Sequence, residues 1–142
     1  MANAWYVAAR NGFLGGHATR VDLDTDSMKF VGTDHTDVTP LPASHDFLDD
    51  IAAGTVFGLS AAIGSPTIGS VGSGVFDGAD LLPAWTAMTG DQFESLSLVK
   101  DTTVAATSNL IAYWDTGVTG LPFTPSGGNV NLVFAAGGII QI

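Results

Sequence analysis

Two segments decide the fold: Phe93-Glu-Ser-Leu-Ser-Leu-Val-Lys-Asp101 and Leu110-Ile-Ala-Tyr-Trp-Asp115. Two further runs follow them, Asn129-Val-Asn-Leu-Val-Phe134 and Gly138-Ile-Ile-Gln-Ile142. Each run is rich in β-branched, aromatic or leucine side chains and is bounded by Gly, Pro, Asp, Ser or Thr, which is the pattern of a β-strand. The chain is therefore predicted to end in a sheet.

Shorter strands are predicted upstream of this sheet. The first two, Thr19 to Asp24 and Met28 to Gly32, flank a turn at Thr25-Asp26-Ser27 and are expected to form a β-hairpin. The others are expected at Val56 to Leu59, Ile68 to Val71, Val75-Phe76 and Leu81 to Met88. Glycines between them suit turns, bulges or close backbone approach.

Two short helices are predicted. Residues Ala4 to Leu14 form the first, within a helical segment spanning residues 3–15, with Asn3 as N-cap and glycines after it. The second runs from an N-cap at Ser44 to Ile51, with Phe47, Leu48 and Ile51 facing inward. Together with the strands, they predict a single mainly β domain over residues 1–142. Its body is expected to be an antiparallel β-sandwich or a barrel-like sheet.

The N-terminal helix offers candidate contact residues. Trp5 and Phe13 fall on one helical face, where they could pin the helix onto the sheet. Alternatively, the helix presents Trp5 and Tyr6 to solvent and docks on a neighbouring subunit. Trp5, Tyr6 and Phe13 are therefore the candidate residues for contact with another subunit or with a capsid.

Composition favours a chain that buries surface against other molecules. Only 13% of the 142 residues are charged and 46% are apolar, with a mean hydropathy of +0.33. Few charges are therefore available to cover a monomer, which favours contact with copies of the chain or with a partner. The alternative is a monomer whose surface consists of Gly, Ser, Thr and Ala.

The charge balance excludes one class of partner. Fourteen Asp and Glu residues against four Lys and Arg give a net charge of −10, so a nucleic-acid backbone would be repelled. The absence of cysteine rules out disulfides and is compatible with assembly in a reducing cytoplasm. The N-terminus lacks the features of a signal peptide, and no run resembles a transmembrane helix. Neither nucleic acid nor a membrane is expected as a partner.

The sequence does not predict an enzyme. Asp115-Thr-Gly117 follows an apolar strand, as in aspartic proteases, where two such carboxylates share a proton. With one copy of the motif, a protease would have to be a homodimer, and a strand that ends in a turn explains these residues better. No Gly-x-Ser-x-Gly elbow, phosphate-binding loop or dinucleotide fingerprint occurs.

Metal, cofactor and sugar sites have weak signals. Asp22, Asp24 and Asp26 alternate as at the start of an EF-hand loop, but Ser27 and Thr33 stand where that loop needs Gly and Glu. The three histidines, His17, His35 and His45, lack the spacing of a helical metal pair. No metal or cofactor is therefore predicted, although a weak surface cation site stays open. Three aromatic residues could instead stack sugars: Trp85, Tyr113 and Trp114.

A series of segments resembles a known family. They are His45-Asp-Phe-Leu-Asp-Asp-Ile51, Gly74-Val-Phe-Asp-Gly-Ala-Asp80, Thr89-Gly-Asp-Gln-Phe-Glu-Ser95, Val99-Lys-Asp-Thr102, Ala106-Thr-Ser-Asn-Leu-Ile-Ala-Tyr-Trp-Asp-Thr116, Gly120-Leu-Pro-Phe-Thr-Pro125 and Gly127-Gly-Asn129. In this order they resemble small virion structural proteins of tailed bacteriophages, particularly those of actinobacterial hosts. The resemblance covers residues 44–130, while the N-terminal segment and residues 134–138 fit less well.

This resemblance implies a short N-terminal helix before a β-rich body, and a role as a head accessory or decoration protein. The expected partners are the major capsid protein and copies of the chain itself, with the trimer common among such proteins as the preferred assembly. The expected location is the capsid surface of a virion made in the host bacterial cytoplasm. Two other functions stay open: a tail or surface module that binds host glycan, and the homodimeric protease.

Overall fold

The protein is mainly β, as predicted. The computed structural model describes residues 3–15, 20–69 and 73–141. Its strands are β1 (Ala4–Trp5), β2 (Met28–Thr33), β3 (Thr55–Val56), β4 (Thr67–Ile68), β5 (Val75–Asp77), β6 (Leu81–Trp85), β7 (Ser95–Lys100), β8 (Leu110–Trp114), β9 (Val130–Leu132) and β10 (Ile140–Gln141). One α-helix, α1 (Val7–Phe13), and two 3-10 helices, Leu48–Gly54 and Ala105–Thr107, complete the elements.

The largest sheet has five antiparallel strands in the order β1-β8-β7-β2-β3. Phe30 of β2 pairs with Leu98 of β7, and Leu98 pairs with Ala112 of β8. Every residue of β7 from Ser95 to Val99 is buried, because both faces of this sheet are covered. This central strand comes from the first of the two segments that decide the fold.

Two smaller antiparallel sheets cover one face of the large sheet. Their orders are β10-β5-β4 and β6-β9. The ring of Phe30 in β2 packs against the ring of Phe134, just after β9, with the ring centroids 5.8 Å apart. Trp85 of β6 packs in the same way against Phe93 at 6.4 Å. Part of the core therefore lies between the five-stranded sheet and these two sheets.

The opposite face of the large sheet is covered by α1 and by residues 34–54. Tyr6, just before α1, is fully buried, and its hydroxyl lies 3.0 Å from the Ser97 hydroxyl of β7. The backbone N–H of Leu48 donates to the carbonyl of Ser108, which joins the longer 3-10 helix to the start of β8. Burial of the Tyr6 and Ser97 hydroxyl groups is tolerated because they are hydrogen-bonded to each other.

The N-terminal helix is shorter than predicted. It begins at Val7 rather than Ala4, because Ala4 and Trp5 pair with Tyr113 and Ala112 at the edge of the large sheet. Asn3 does not cap the helix. Its side chain instead accepts hydrogen bonds from the loop after β8 and donates one to the carbonyl of Thr116.

The predicted first hairpin is wrong. Thr19 lies outside the described residues, and residues 20–24 form no strand but lead into a turn held by the N–H of Asp26 on the carbonyl of Asp22 at 2.9 Å. β2 pairs with β7 instead, over six residues. The apolar residues of the expected strand, Val21 and Leu23, are still buried. The alternation of apolar and polar residues therefore predicted correctly which side chains are buried, but it did not predict the backbone conformation.

The second predicted helix is shifted along the chain. It is a 3-10 helix from Leu48 to Gly54, and Ser44 does not cap it. The carboxylate of Asp50 accepts hydrogen bonds from the N–H groups of Asp46 and Phe47 at 2.8 and 3.2 Å, which satisfies donors at the start of this helix.

Several strands differ from prediction only in their bounds. β3 ends at Val56 because Phe57 and Gly58 have φ values of 66° and 78°, which strands do not adopt. The strand expected from Ile68 to Val71 is seen as β4 up to Ile68, and Val71 lies outside the described residues, as does Ile142, the last residue of the expected C-terminal strand. Within the described ranges, no helix has the length and apolar character to cross a membrane.

Candidate functional site

An open, mainly apolar groove lies beside β9. Its volume is about 640 Å³. Residues from β2, β7, β8 and the chain on either side of β9 line it: Phe30, Leu96, Trp114, Gly117, Val118, Thr119, Asn131, Leu132, Val133, Phe134, Ala135, Gly138 and Ile139. The groove therefore lies between the large sheet and the free side of β9.

Aromatic packing forms the floor of this groove. Phe30 contacts Trp114 with ring centroids 5.9 Å apart and Phe134 at 5.8 Å. Because Phe30 is almost fully buried and Trp114 and Phe134 are half-buried, the rings present their remaining surface to the groove. Such a floor offers apolar contact area and few polar groups.

Both walls of the groove are held in place by side-chain hydrogen bonds. On one wall, the Asn3 side chain accepts from the N–H groups of Asp115 and Thr116 at 3.1 and 3.2 Å. On the other wall, the N–H of Phe134 donates to the Asp80 carboxylate at 2.8 Å. These hydrogen bonds therefore hold the backbone on both sides of the groove in place.

Large apolar side chains are exposed next to the groove. Val133, which lines it, is 71% exposed, and Leu82 on the neighbouring strand β6 is 62% exposed. Buried Leu81 pairs with half-buried Leu132, and Leu82 and Val133 each follow one of these paired residues. We call β9, Leu82, Val133 and the groove the β9 face.

Charge is distributed unevenly along the chain. Residues 116–142 contain no Asp, Glu, Lys, Arg or His. In the two smaller sheets, the only charged strand residue is Asp77. Three of the four basic residues form ion pairs around β2 and β7: Lys29 with Asp101 at 2.6 Å, Lys100 with Asp26 at 2.9 Å and Arg20 with Asp22 at 3.8 Å. The β9 face is therefore nearly neutral on a strongly acidic molecule.

The predicted contact residues occupy different positions. Tyr6 is not exposed as predicted but fully buried, because it faces Ser97 across the sheet; burial is the main cause that raises its pKa far above the usual value. Trp5 and Phe13 are half-buried and pack edge to face at 5.6 Å. They pin α1 to the sheet, which was the other interpretation of this pair.

A histidine network lies on the helix-covered face of the large sheet. His35 Nε2 lies 2.9 Å from the Ser95 hydroxyl and 3.2 Å from the Tyr113 hydroxyl, which donates to Asp115 at 3.4 Å. Burial is the main cause that raises the pKa of Tyr113 to about 12. In a catalytic triad the acid and the serine contact opposite ring nitrogens, whereas here Ser95 and Tyr113 share one. Because Ser95 is also fully buried, the network holds the loop that contains His35 against β7 and β8 of the large sheet.

The acidic turn is held by its own hydrogen bonds. The Asp26 carboxylate accepts from the N–H of Asp22 at 2.8 Å and pairs with Lys100. A hydrogen bond between the side chains of Asp22 and Asp24 raises the pKa of Asp24 and lowers that of Asp22. Over residues 3–15, 20–69 and 73–141, no group of three or more His, Cys, Asp or Glu residues is arranged to hold a metal.

The remaining candidate residues are separated from one another. Trp85 and Tyr113 are buried, so of the three proposed sugar-stacking residues only Trp114 reaches the groove. His45 Nδ1 accepts from the N–H of Leu41 at 3.2 Å, and His17 lies outside the described residues. The sequence alone did not indicate the groove, although the uncharged run after Asp115 was a signal that could have indicated it.

Comparison with known proteins adds no family. No protein-family model matches this chain, and no curated protein matches it either.

Proposed function

We propose that this chain is a non-enzymatic structural protein of a tailed-phage virion, which binds the outer surface of the assembled head and stabilises it. The observation that carries the proposal is the nearly uncharged layer formed by the two smaller sheets, with Leu82, Val133 and Ile68 exposed on it. Exposed apolar side chains on a layer with so little charge are typical of an interaction surface.

The acidic part of the molecule supports an outer location. The net charge of −10 would repel packaged DNA, so the protein is better suited to the outside of a shell than to its lumen. Residues 44–130 also resemble small tailed-phage virion proteins in a series of segments. The partners in this proposal are the major capsid protein and further copies of the chain, made in the host cytoplasm.

Many weak contacts would suffice for this role. A decoration protein repeated over a symmetric shell makes the same interface many times, so each contact can be modest while the sum stabilises the shell. A folded β body with a nearly neutral face meets this requirement.

The number of copies per particle tests the proposal. Quantitative mass spectrometry of purified virions should find the chain in many copies, and purified protein should bind assembled heads but not free capsid subunits. Its absence from virions would overturn the proposal. A few copies per particle would place it at the tail instead.

A glycan-binding module is the second candidate, because Trp114 lies in the groove together with the polar side chains of Asn131 and Thr119. Aromatic and amide groups in one groove are the elements of a sugar site. Titration with bacterial surface glycans, followed by tryptophan fluorescence, tests this function. An Asn131→Ala variant should then bind more weakly than wild type, while an unchanged spectrum on glycan addition would contradict it.

A further inference from the structure

We propose that the β9 face is the surface through which copies of this chain bind one another. The inference rests on the proposed function, since both require this layer to be buried, but it names the partner and the residues. Three features support it: the unpaired edge of β9, the low charge of the β9 face, and the exposure of Leu82 and Val133.

The edge of β9 is open to pairing. Among the described strands, β9 pairs only with β6, through Leu132 with Leu81 and Val130 with Trp85. Its other edge borders the groove, to which Asn131 and Val133 contribute. An unpaired edge presents backbone N–H and C=O groups that can pair with another strand.

This edge carries none of the charged or proline residues that protect many edge strands. Natural edge strands are guarded by charged residues, proline or bulges. Residues 126–142 contain neither a charged residue nor proline. Because the groove also provides an apolar floor beside the edge, pairing there would bury Val133 and the half-exposed rings together.

Charge favours a second copy as the occupant. In a contact between copies, surfaces of like charge oppose association, and each copy carries −10. On the β9 face, two copies can approach with few side-chain charges opposing each other. The carboxylate of Asp80, the residue before β6, already accepts a hydrogen bond from the N–H of Phe134.

A matched pair of charge insertions tests the inference. Val133→Asp places a carboxylate on the β9 face, and Val104→Asp makes the same change at a valine that is 55% exposed outside this face. Both side chains are largely in solvent, so both variants should fold, which circular dichroism checks. Sedimentation velocity of the full chain should show that Val133→Asp weakens self-association at least about tenfold, since a buried unpaired charge is costly. Val104→Asp should associate as wild type does.

Hydrogen exchange locates the contact independently. As protein concentration rises, amides in residues 130–135 should exchange more slowly, whereas amides of the acidic turn at residues 22–26 should keep their rates. A wild-type protein that stays monomeric at high concentration, or two valine variants that associate equally well, would overturn the inference.

The two proposals fail in different ways. If the protein is monomeric but binds assembled heads, the inference is wrong and the proposed function stands. If it self-associates through the β9 face but is absent from virions, the proposed function is wrong and the inference stands.

Discussion

Gly32 in β2 packs directly against the ring of Phe93. A Cβ atom at this position would lie 2.8 Å from the ring of Phe93, which is too close for any real contact. Phe93 is buried between Trp85 and Phe123, at 6.4 and 5.5 Å, so its ring has little room to move aside. Gly32→Ala should therefore lower the free energy of unfolding by about 1 to 3 kcal/mol, measured by denaturant titration.

Gly128→Ala is the matched control. A Cβ at Gly128 meets no atom within 4 Å, and the residue is exposed. Its free energy of unfolding should stay within about 0.5 kcal/mol of wild type. If Gly32→Ala were equally harmless, the ring of Phe93 would have to move more freely than its packing implies.

Tyr6 shows what residue patterns alone miss. Trp5 and Tyr6 are adjacent aromatic residues near the N-terminus, and one of the two interpretations of the predicted helix exposed both of them to solvent. Since Ala4 and Trp5 pair with β8, Tyr6 extends the strand direction and faces Ser97, 91 positions away in sequence. A two-residue strand that pairs with a distant edge leaves no local signal to detect.

At the scale of elements, long apolar runs were predictable and non-local pairings were not. The runs that became β7 and β8 were recognised because burial on both faces demands continuous apolar or small residues. The hairpin before β2 was wrong because alternation also arises in a turn that buries Val21 and Leu23. The groove joins Phe30, Trp114 and Phe134, which are far apart in sequence, so no window of residues could indicate it.

An ion pair between Lys29 and Asp101 lies at one end of the pairing between β2 and β7. Burial opposes ionisation of Asp101, but hydrogen bonds from Lys29 and the N–H of Thr103, together with the Lys29 charge, hold its pKa below the usual 3.8. A lowered folded-state pKa stabilises the fold above pH 3.8, and this contribution is lost as pH falls through the folded-state value. Asp101→Asn should therefore destabilise the protein more at about pH 7 than at about pH 3.

Urea titrations of wild type and variant at both pH values measure this difference. Lys29→Met provides a second test from the other partner, because it leaves the buried carboxylate without its cation. It should also cost more stability at neutral than at acid pH. An equal loss at both pH values, for either variant, would contradict a charged pair at this end of the sheet.

At the scale of the whole molecule, the separation of charge from the β9 face links fold to function. Acidic residues concentrate before residue 116, and three of the four cations are paired close to β2 and β7. The sequence predicted an acidic protein that buries surface, yet only the sheet topology shows that the uncharged C-terminal segment forms one face with β6. In the proposed function, the contact surface is the part of the molecule that lacks charge.

Net charge and the charge of the β9 face can be separated by two lysine substitutions. Val104→Lys and Val133→Lys both change the formal net charge from −10 to −9, so both reduce repulsion between copies equally. Val104→Lys should therefore associate slightly more strongly than wild type, whereas Val133→Lys should associate more weakly because its ammonium would be buried. Added salt should strengthen association of wild type and Val104→Lys by screening the remaining repulsion. If sedimentation velocity showed both variants associating more strongly than wild type, net charge alone would control assembly and the β9 face would not be the contact.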